Sequence, residues 1–342
     1  MNISKLFFIV AFLLFGAIAI KAVLKKDKAH THETVVVDIS KPIAVAFEDE
    51  VRSINHVEIQ PEENITQFFN IKEEKDISVH SRKDEDLPKA DRIEELFRKV
   101  NPKLPIVETI TYKSKVDWLK GRPAWISDYA AYYKTSRHFI ARSLNGKRDY
   151  FKQNVALGDR FNVFKLDKDL SFYLVIDTTR SKMWLYYYDK GAEEKVLLKV
   201  YDVGLGRVDN LQASGLLTPL GQYRLGEKVA IYKPGKMGLY QGNKVEMMRI
   251  FGTRWIPFEE EIGECTAPAK GLGIHGAPWV ENSKNELVEN ITGIGKYESD
   301  GCVRLKSDDM EEIFAIILTR PSFVILVKDF FDANVPGIDR GL

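Results

Sequence analysis

With 342 residues the chain is long enough for two or three domains and a sizeable core. Lysine plus arginine number 50 and aspartate plus glutamate 49, a net charge of +1, so no basic excess points to a nucleic-acid partner. A hydrophobic fraction of 44% is that of an ordinary globular protein.

The chain opens on an apolar run, residues 6–20, preceded by Lys5. The run has the length of a signal-peptide core. Extended past Lys21 through Ala22, Val23 and Leu24, it becomes a marginal membrane helix. No amphipathic period marks it as a buried globular helix. Residues 1–24 therefore read as a signal anchor, with a cleaved signal peptide as the alternative, for which Ala17-Ile18-Ala19 is a partial cleavage site. Lys21, Lys25, Lys26 and Lys28 follow the run, and the positive-inside rule sets them against export of what comes next. Residues 25–90 mix acidic clusters such as Glu48-Asp49-Glu50 with basic ones and short apolar pieces, and read as a mostly flexible linker.

From Asp91 the periodicity tightens. Ile93, Leu96, Phe97 and Val100 recur at helical spacing, and Pro102 and Pro105 end that helix. Residues 106–112 alternate as a strand. Ile126, Tyr129, Ala130 and Tyr133 share one face of a helix over 124–133. Thr135-Ser136 caps a second helix carrying Phe139, Ile140 and Leu144, which Asn145-Gly146 closes. Residues 155–159 then turn into a strand over 160–165. This strand–helix–helix–strand order, with segments 136–146 and 157–163, resembles a LysM module. The resemblance implies that residues 91–168 bind N-acetylglucosamine polymers, peptidoglycan included. A structural spacer of like topology, with His138 on a helix surface, is the alternative.

Beyond residue 169 strands dominate. Residues 172–177 and 183–188, around Thr178-Thr179-Arg180-Ser181, read as a hairpin, and 196–203 as a third strand. Gly204-Leu205-Gly206 is too little for a phosphate loop, and no helix follows it. Thr218-Pro219-Leu220-Gly221 is a tight turn into a strand. Tyr240, residues 247–251 and Trp255 supply the next strands and the walls of a cleft, with Tyr232 a further wall. Ser307 is the expected cap of a last helix with Asp308 and Asp309 in its first turn and Ile313, Ile316 and Ile317 on its buried face. Pro321 starts a closing strand over 322–327, and residues 332–342 read as a tail.

The chemistry concentrates in Gly273-Ile274-His275-Gly276 and Ser299-Asp300-Gly301-Cys302-Val303-Arg304-Leu305. A thiol is a nucleophile only as thiolate, and an imidazole is the commonest acceptor of its proton. Gly301 lets a backbone approach a reacting carbonyl closely. The N–H groups of Gly301 and Cys302 are candidates for an oxyanion hole, and Arg304 suits a substrate carboxylate. Taken singly, a cysteine is more often a small buried hydrophobe, and a histidine beside glycine a turn residue. In this order, in a chain with only two cysteines, they read together.

These residues resemble the catalytic motif of the L,D-transpeptidase (YkuD) family, a His-Gly turn followed by Ser-His-Gly-Cys-(Ile/Val)-Arg. Residues 218–223 resemble its Thr-Pro-x-Gly-x-(Tyr/Phe) segment, and Trp255-Ile256-Pro257-Phe258 the stretch where related domains present substrate-facing aromatics. The resemblance spans residues 170–328 and departs twice. Asp300 stands where the family has a second histidine. His275 lies 27 residues before Cys302, a longer gap than the family's, which reads as an inserted loop within residues 278–297.

The resemblance implies an α+β chain: a mainly β YkuD-type catalytic domain over 169–331, after a small βααβ LysM-like module and an N-terminal membrane segment. It makes Cys302 the nucleophile and His275 the base. Gly276 would orient the imidazole, Gly301 serve the oxyanion, and Arg304, Ser299, Asp300, Trp255 and Tyr232 face substrate. No metal or organic cofactor is implied. The partners are peptidoglycan and, through the N-terminal segment, the membrane, on the periplasmic side of a bacterial envelope. The implied reaction is cross-linking through a cysteine acyl-enzyme. The alternatives are L,D-carboxypeptidation at the same site, a non-catalytic wall-binding protein, and a cysteine protease of another fold. Cys265 either forms a gating disulfide with Cys302 or stays unpaired in the loop before residues 271–276. A metal site of Cys265, Cys302 and His275 lacks any short ligand pair.

Overall fold

The computed structural model describes residues 84–100 and 102–341. The expected membrane segment, residues 1–24, lies outside them, as does most of the expected linker. Among the described residues no helix is long and apolar enough to cross a membrane.

A short helix, Ile93–Phe97, leads to β1 (Val107–Thr111), the helices Ile126–Tyr132 and Arg137–Asn145, and β2 (Arg160–Phe164). β1 and β2 pair antiparallel, Val107 opposite Phe164 and Thr111 opposite Arg160, so the strand–helix–helix–strand order is present. Ser136 Oγ accepts the His138 N–H at 3.1 Å, and Gly146 ends the second helix at a φ of 74°. Ile126, Tyr129, Ile140, Phe161 and Val163 make a small core of their own. Phe139 and Phe164 instead enter the main core of the chain.

The rest is built on a ten-stranded sheet. β3 (Leu170–Asp177), β4 (Lys182–Asp189) and β5 (Glu194–Asp202) form an antiparallel meander, and the short β6 (Leu205–Gly206) leaves it. After β7 (Gly221–Leu225) and β8 (Ala230–Ile231), β9 (Met237–Tyr240) and β10 (Asn243–Glu246) make a separate hairpin. β11 (Arg254–Ile262) and β12 (Gly273–Gly276) are followed by a second hairpin of β13 (Trp279–Glu281) and β14 (Leu287–Glu289). The chain closes with β15 (Tyr297–Ser299), β16 (Val303–Leu305), the helix Ser307–Ile317, β17 (Ser322–Val327) and β18 (Ile338–Asp339). In space the sheet runs β16-β12-β11-β7-β17-β3-β4-β5-β18, with β8 also on β11. Strand alternation sorts two apolar layers. Leu174, Ile176, Met183, Leu185 and Leu198 share a core with Ile313, Phe314 and Ile317 of the last long helix. Tyr173, Val175, Trp184 and Tyr186 pack on the other side with Leu87, Ala90 and Phe330.

Three local expectations are corrected. Residues 247–251 form not a strand but the helical turn Met248–Phe251, ended by Gly252 at a φ of 61°; Met247, Met248 and Phe251 all point into one cluster. Lys306, not Ser307, holds the cap position of the last long helix, and the Ser307 N–H donates to the carboxylate of Glu289 on β14. The segment beyond 331 adds β18 to the sheet edge, parallel to β5.

A buried ionic network joins the N-terminal unit to the sheet. Arg254 of β11 is 2% exposed; it donates to Asp149 and to the Thr253 carbonyl at 2.7 Å. Its guanidinium lies 5.5 Å from the Phe314 ring and 3.9 Å from Glu311. His138, which one reading left on a helix surface, is buried beside them. Its Nδ1 accepts the Tyr150 N–H at 3.1 Å and lies 3.4 Å from Asp149. One nitrogen cannot accept from Tyr150 and also donate to Asp149. Burial pushes the imidazole down, which selects the neutral ring that accepts. Burial would raise the Asp149 carboxyl, but Arg254 bonded to it holds it below the ordinary carboxylate range.

Removing the carboxylate leaves the Arg254 charge buried without its partner. Asp149→Ala is expected to lower the unfolding free energy by about 3 kcal/mol in a urea titration, and Arg254→Met added to it to recover part of the loss. Equal stability of wild type and Asp149→Ala would refute this account.

Candidate active site

β12 lies between β11 and β16. Trp255 is opposite His275 on one side, and Arg304 is opposite it on the other, in a parallel pair. Cys302 immediately precedes β16. Residues two apart share a face of a strand, so Cys302 continues the face that carries Arg304, in register with His275. The long excursion after His275 therefore brings the thiol back beside the imidazole strand.

His275 is 3% exposed, and its Nδ1 lies 2.8 Å from the Gly276 carbonyl. A carbonyl only accepts, so Nδ1 carries the proton and Nε2 keeps its lone pair. The ring meets Phe251 edge-on at 5.3 Å and stacks on Trp255 at 5.8 Å. Gly273 makes room for that packing, since a Cβ there would stand 2.9 Å from the Trp255 ring. Burial pushes the imidazole down to about 3.

The Cys302 thiol touches the Gly271 carbonyl at 3.8 Å. Its surroundings of protein push it up to about 12, and the Asp300 carboxylate acts in the same direction against Arg304. Among the described residues no hydrogen bond joins thiol and imidazole, and both rest uncharged. The turn holding the thiol is fixed from both sides. Ser299 Oγ donates to the Cys302 carbonyl at 2.6 Å and accepts the Gly301 N–H at 3.2 Å. Thr218 Oγ1 donates to the Gly301 carbonyl at 2.9 Å and accepts the Gly206 N–H at 2.7 Å. Gly301 has a φ of 114°, and a Cβ there would stand 2.9 Å from the Leu217 carbonyl, so only glycine fits.

Several residues read as substrate contacts sit elsewhere. Ser299 is 1% exposed and its hydroxyl holds the turn. The Gly301 N–H, a candidate for the oxyanion, is already bonded to Ser299. The Cys302 N–H meets no acceptor among the described residues and remains available. Trp255 and Tyr232 are each 5% exposed, Trp255 stacking on the imidazole and Tyr232 on Phe251, rather than facing solvent; burial lifts the Tyr232 hydroxyl to about 12. Arg304 has a buried Nε without a hydrogen-bond partner. It lines a cavity of about 40 Å³ whose wall includes Asn290 and Thr292 from the long loop and Glu298. Asp300 pairs with Arg207 at 2.7 Å and lies 3.5 Å from the Tyr240 hydroxyl. Both cysteines are free. Cys265 donates to the Gln222 carbonyl at 3.2 Å and packs on the main core, whereas Cys302 borders the aromatic cluster of Phe251 and Trp255, so the gating disulfide is absent.

Sequence reasoning gave Arg207 no role, and read Tyr240 and the run holding Phe251 as cleft walls, which border the site here. Thr218 was visible only as part of a turn. Nothing local marks Arg207, which reaches the site from a separate segment after β6.

Residues 171–326 match the family described as YkuD, L,D-transpeptidase catalytic domain. The chain carries that domain type over the stretch that includes Thr218, His275, Cys302 and Arg304. Among solved structures, the chain is similar to the helical cell shape determining protein Pgp2 from Campylobacter jejuni. The identity is 16% over 50% of this chain and 51% of that one, with a TM-score of 0.32. It is also similar to Bd1075 of Bdellovibrio bacteriovorus, at 13% identity over 46% of this chain and 48% of that one, with a TM-score of 0.32. The matched stretches span about half the length of each of these structures. No curated protein matches.

Two outcomes follow from the geometry. Thr218→Val keeps the side chain's shape but leaves the buried Gly301 carbonyl and Gly206 N–H unpaired, so thermal melting should show a loss of about 2 kcal/mol. Thr218→Ser should restore it, and full stability of the valine variant would remove Thr218 from this role. A thiol held well above its ordinary range keeps its proton at neutral pH. Iodoacetamide labelling of Cys302, followed by mass spectrometry of its peptide, should quicken about tenfold per pH unit from pH 7 to 10. A rate already level from pH 5 upward would show a thiolate–imidazolium pair instead.

Proposed function

We propose that this chain is an envelope L,D-transpeptidase that acts on peptidoglycan stem peptides through an acyl-enzyme on Cys302. The observation that carries this reading is the neutral His275 imidazole. Its Nδ1–H is fixed on the Gly276 carbonyl, and it sits in strand register with the face on which Cys302 lies. The match of residues 171–326 to the YkuD catalytic domain supports the choice of substrate.

In a donor tetrapeptide, Cys302 Sγ attacks the carbonyl of the third residue, a diaminopimelate. As the S–C bond forms, His275 Nε2 takes the thiol proton. The Cys302 N–H faces the developing oxyanion. Collapse breaks the C–N bond to the terminal D-alanine, and the imidazolium returns its proton to the leaving amine. The thioester then passes to an amine of a second stem, making a cross-link and restoring the thiol. Water in place of that amine gives a tripeptide, the carboxypeptidase outcome. A resting pair with no charge suits this sequence, because the thiol need lose its proton only as the substrate carbonyl arrives. Catalytic groups that share no hydrogen bond at rest commonly come together only in the complex with substrate. Arg304, with its unpartnered Nε, is the holder of a substrate carboxylate. Residues 91–168 act as the LysM-like part that binds the glycan strands of the same polymer. The substrate places the work outside the cytoplasmic membrane, with residues 1–24 as the anchor.

The full-length chain incubated with disaccharide tetrapeptides, under reducing conditions, should give cross-linked dimers by mass spectrometry. Cys302→Ala should abolish them and His275→Ala should slow them by at least about 100-fold. Tripeptide monomers without dimers would assign water as the acceptor. The absence of any product from wild type would overturn the enzyme reading.

A further inference from the structure

Asp300 stands beside the nucleophile, and the mechanism gives it no task. Its partner, Arg207, follows β6. The backbone of Arg207 is fixed to the nucleophile turn, its N–H donating to the Ser299 carbonyl at 2.9 Å and its carbonyl accepting the Leu217 N–H at 2.9 Å. The two side chains are different. They are 61% and 53% exposed, and they meet each other at 2.7 Å at the rim of the site, with the Tyr240 hydroxyl 3.5 Å from the carboxylate. The turn itself is held by Ser299 and Thr218, so the ion pair is not needed to shape it. An exposed pair contributes little to stability and opens at small cost.

Resting on the function proposed above, we infer that Arg207 and Asp300 form a subsite for a zwitterionic amino-acid end, the free ammonium and carboxylate at the tip of a diaminopimelate side chain. Cys302 attacks the carbonyl of that same third residue, so its side chain leaves the reacting centre next to residues 300–302. The guanidinium takes the ligand carboxylate with two parallel N–H bonds. The Asp300 carboxylate accepts from the ligand ammonium, and the Tyr240 hydroxyl offers a further polar contact. The selectivity comes from the pair being complete before substrate arrives. A ligand with one charge replaces one partner and strands the other. A zwitterion replaces both.

The test uses the full-length chain and three disaccharide tetrapeptides that differ only at the third side chain: diaminopimelate, diaminopimelate amidated at that carboxylate, and lysine. The readout is kcat/KM for D-alanine release. Wild type should favour diaminopimelate over both others by at least about tenfold, the value of one lost charge-assisted contact. Arg207→Gln should bring the three within about twofold of one another, mainly through KM for diaminopimelate, and Arg207→Lys should keep part of the preference. Asp300→Asn should lower the use of all three, since each carries the ammonium. If wild type releases D-alanine equally from all three, or if Arg207→Gln keeps the wild-type ratio, the subsite is refuted while the enzyme reading stands. If wild type releases none, and matches Cys302→Ala, the function and the subsite fall together.

Discussion

The parallel pairing of β12 with β16 is the constraint on which the site depends. It puts His275 opposite Arg304 and brings Cys302 to the start of the neighbouring strand. Parallel neighbours cannot be joined by a tight turn; they need a crossover of a dozen residues or more. Here the crossover is the stretch between Gly276 and Val303, and it holds the β13–β14 hairpin and β15. The length that looked like an insertion thus has structural work of its own. Its Glu289 receives the first N–H of the helix that follows β16, where a carboxylate is also favoured by the helix dipole. Its Asn290 and Thr292 wall the cavity beside Arg304. The departure in spacing and the support of the site are the same segment.

Burial decides the protonation of His275 and Cys302. The imidazole is enclosed by Phe251 and Trp255, and only Gly273 lets the tryptophan ring come so close. That enclosure makes a charged ring costly, so His275 stays neutral and its single ring N–H goes to the Gly276 carbonyl. The same enclosure keeps the proton on Cys302. Packing, rather than a nearby charge, sets the resting state, and the lone pair on Nε2 is the product of that packing.

Much of this was legible in the sequence, and what failed did so for physical reasons. The caps at Ser136 and Gly146 and the β3–β4 hairpin depend on residues a few positions apart, so a local pattern reports them. The His275 and Cys302 turns were readable as two motifs, and the pairing of β12 with β16 sets them on neighbouring strands. The turn Met248–Phe251 was misread because a short apolar run has no period long enough to separate helix from strand. Ser307 was misread because it is already the first helical residue, its N–H donating to a carboxylate 18 residues upstream and its hydroxyl accepting from the Trp279 indole. Trp255, Tyr232 and Ser299 have side-chain chemistry fit for substrate, but residue type does not report depth, and all three are buried. The Gly301 N–H was available in principle and is taken by Ser299 two residues before it, a contact that no pattern of residue types displays.

Depth also explains why the N-terminal unit and the chemistry behave as one body. Phe139 and Phe164 lie in the core that contains Leu174 and Phe314, so no solvent layer separates the βααβ unit from the sheet. Asp149 grips Arg254, the residue before Trp255, which stacks on His275. Arg148, next to it, pairs with Asp308 and Glu311 on the helix that leaves the Cys302 strand. Two adjacent residues of the unit therefore hold the strand beside that of His275 and the helix that follows β16. Under the proposed function this has a consequence for reach: a glycan strand held by residues 91–168 would sit at a fixed offset from Cys302, with no hinge between binding and chemistry.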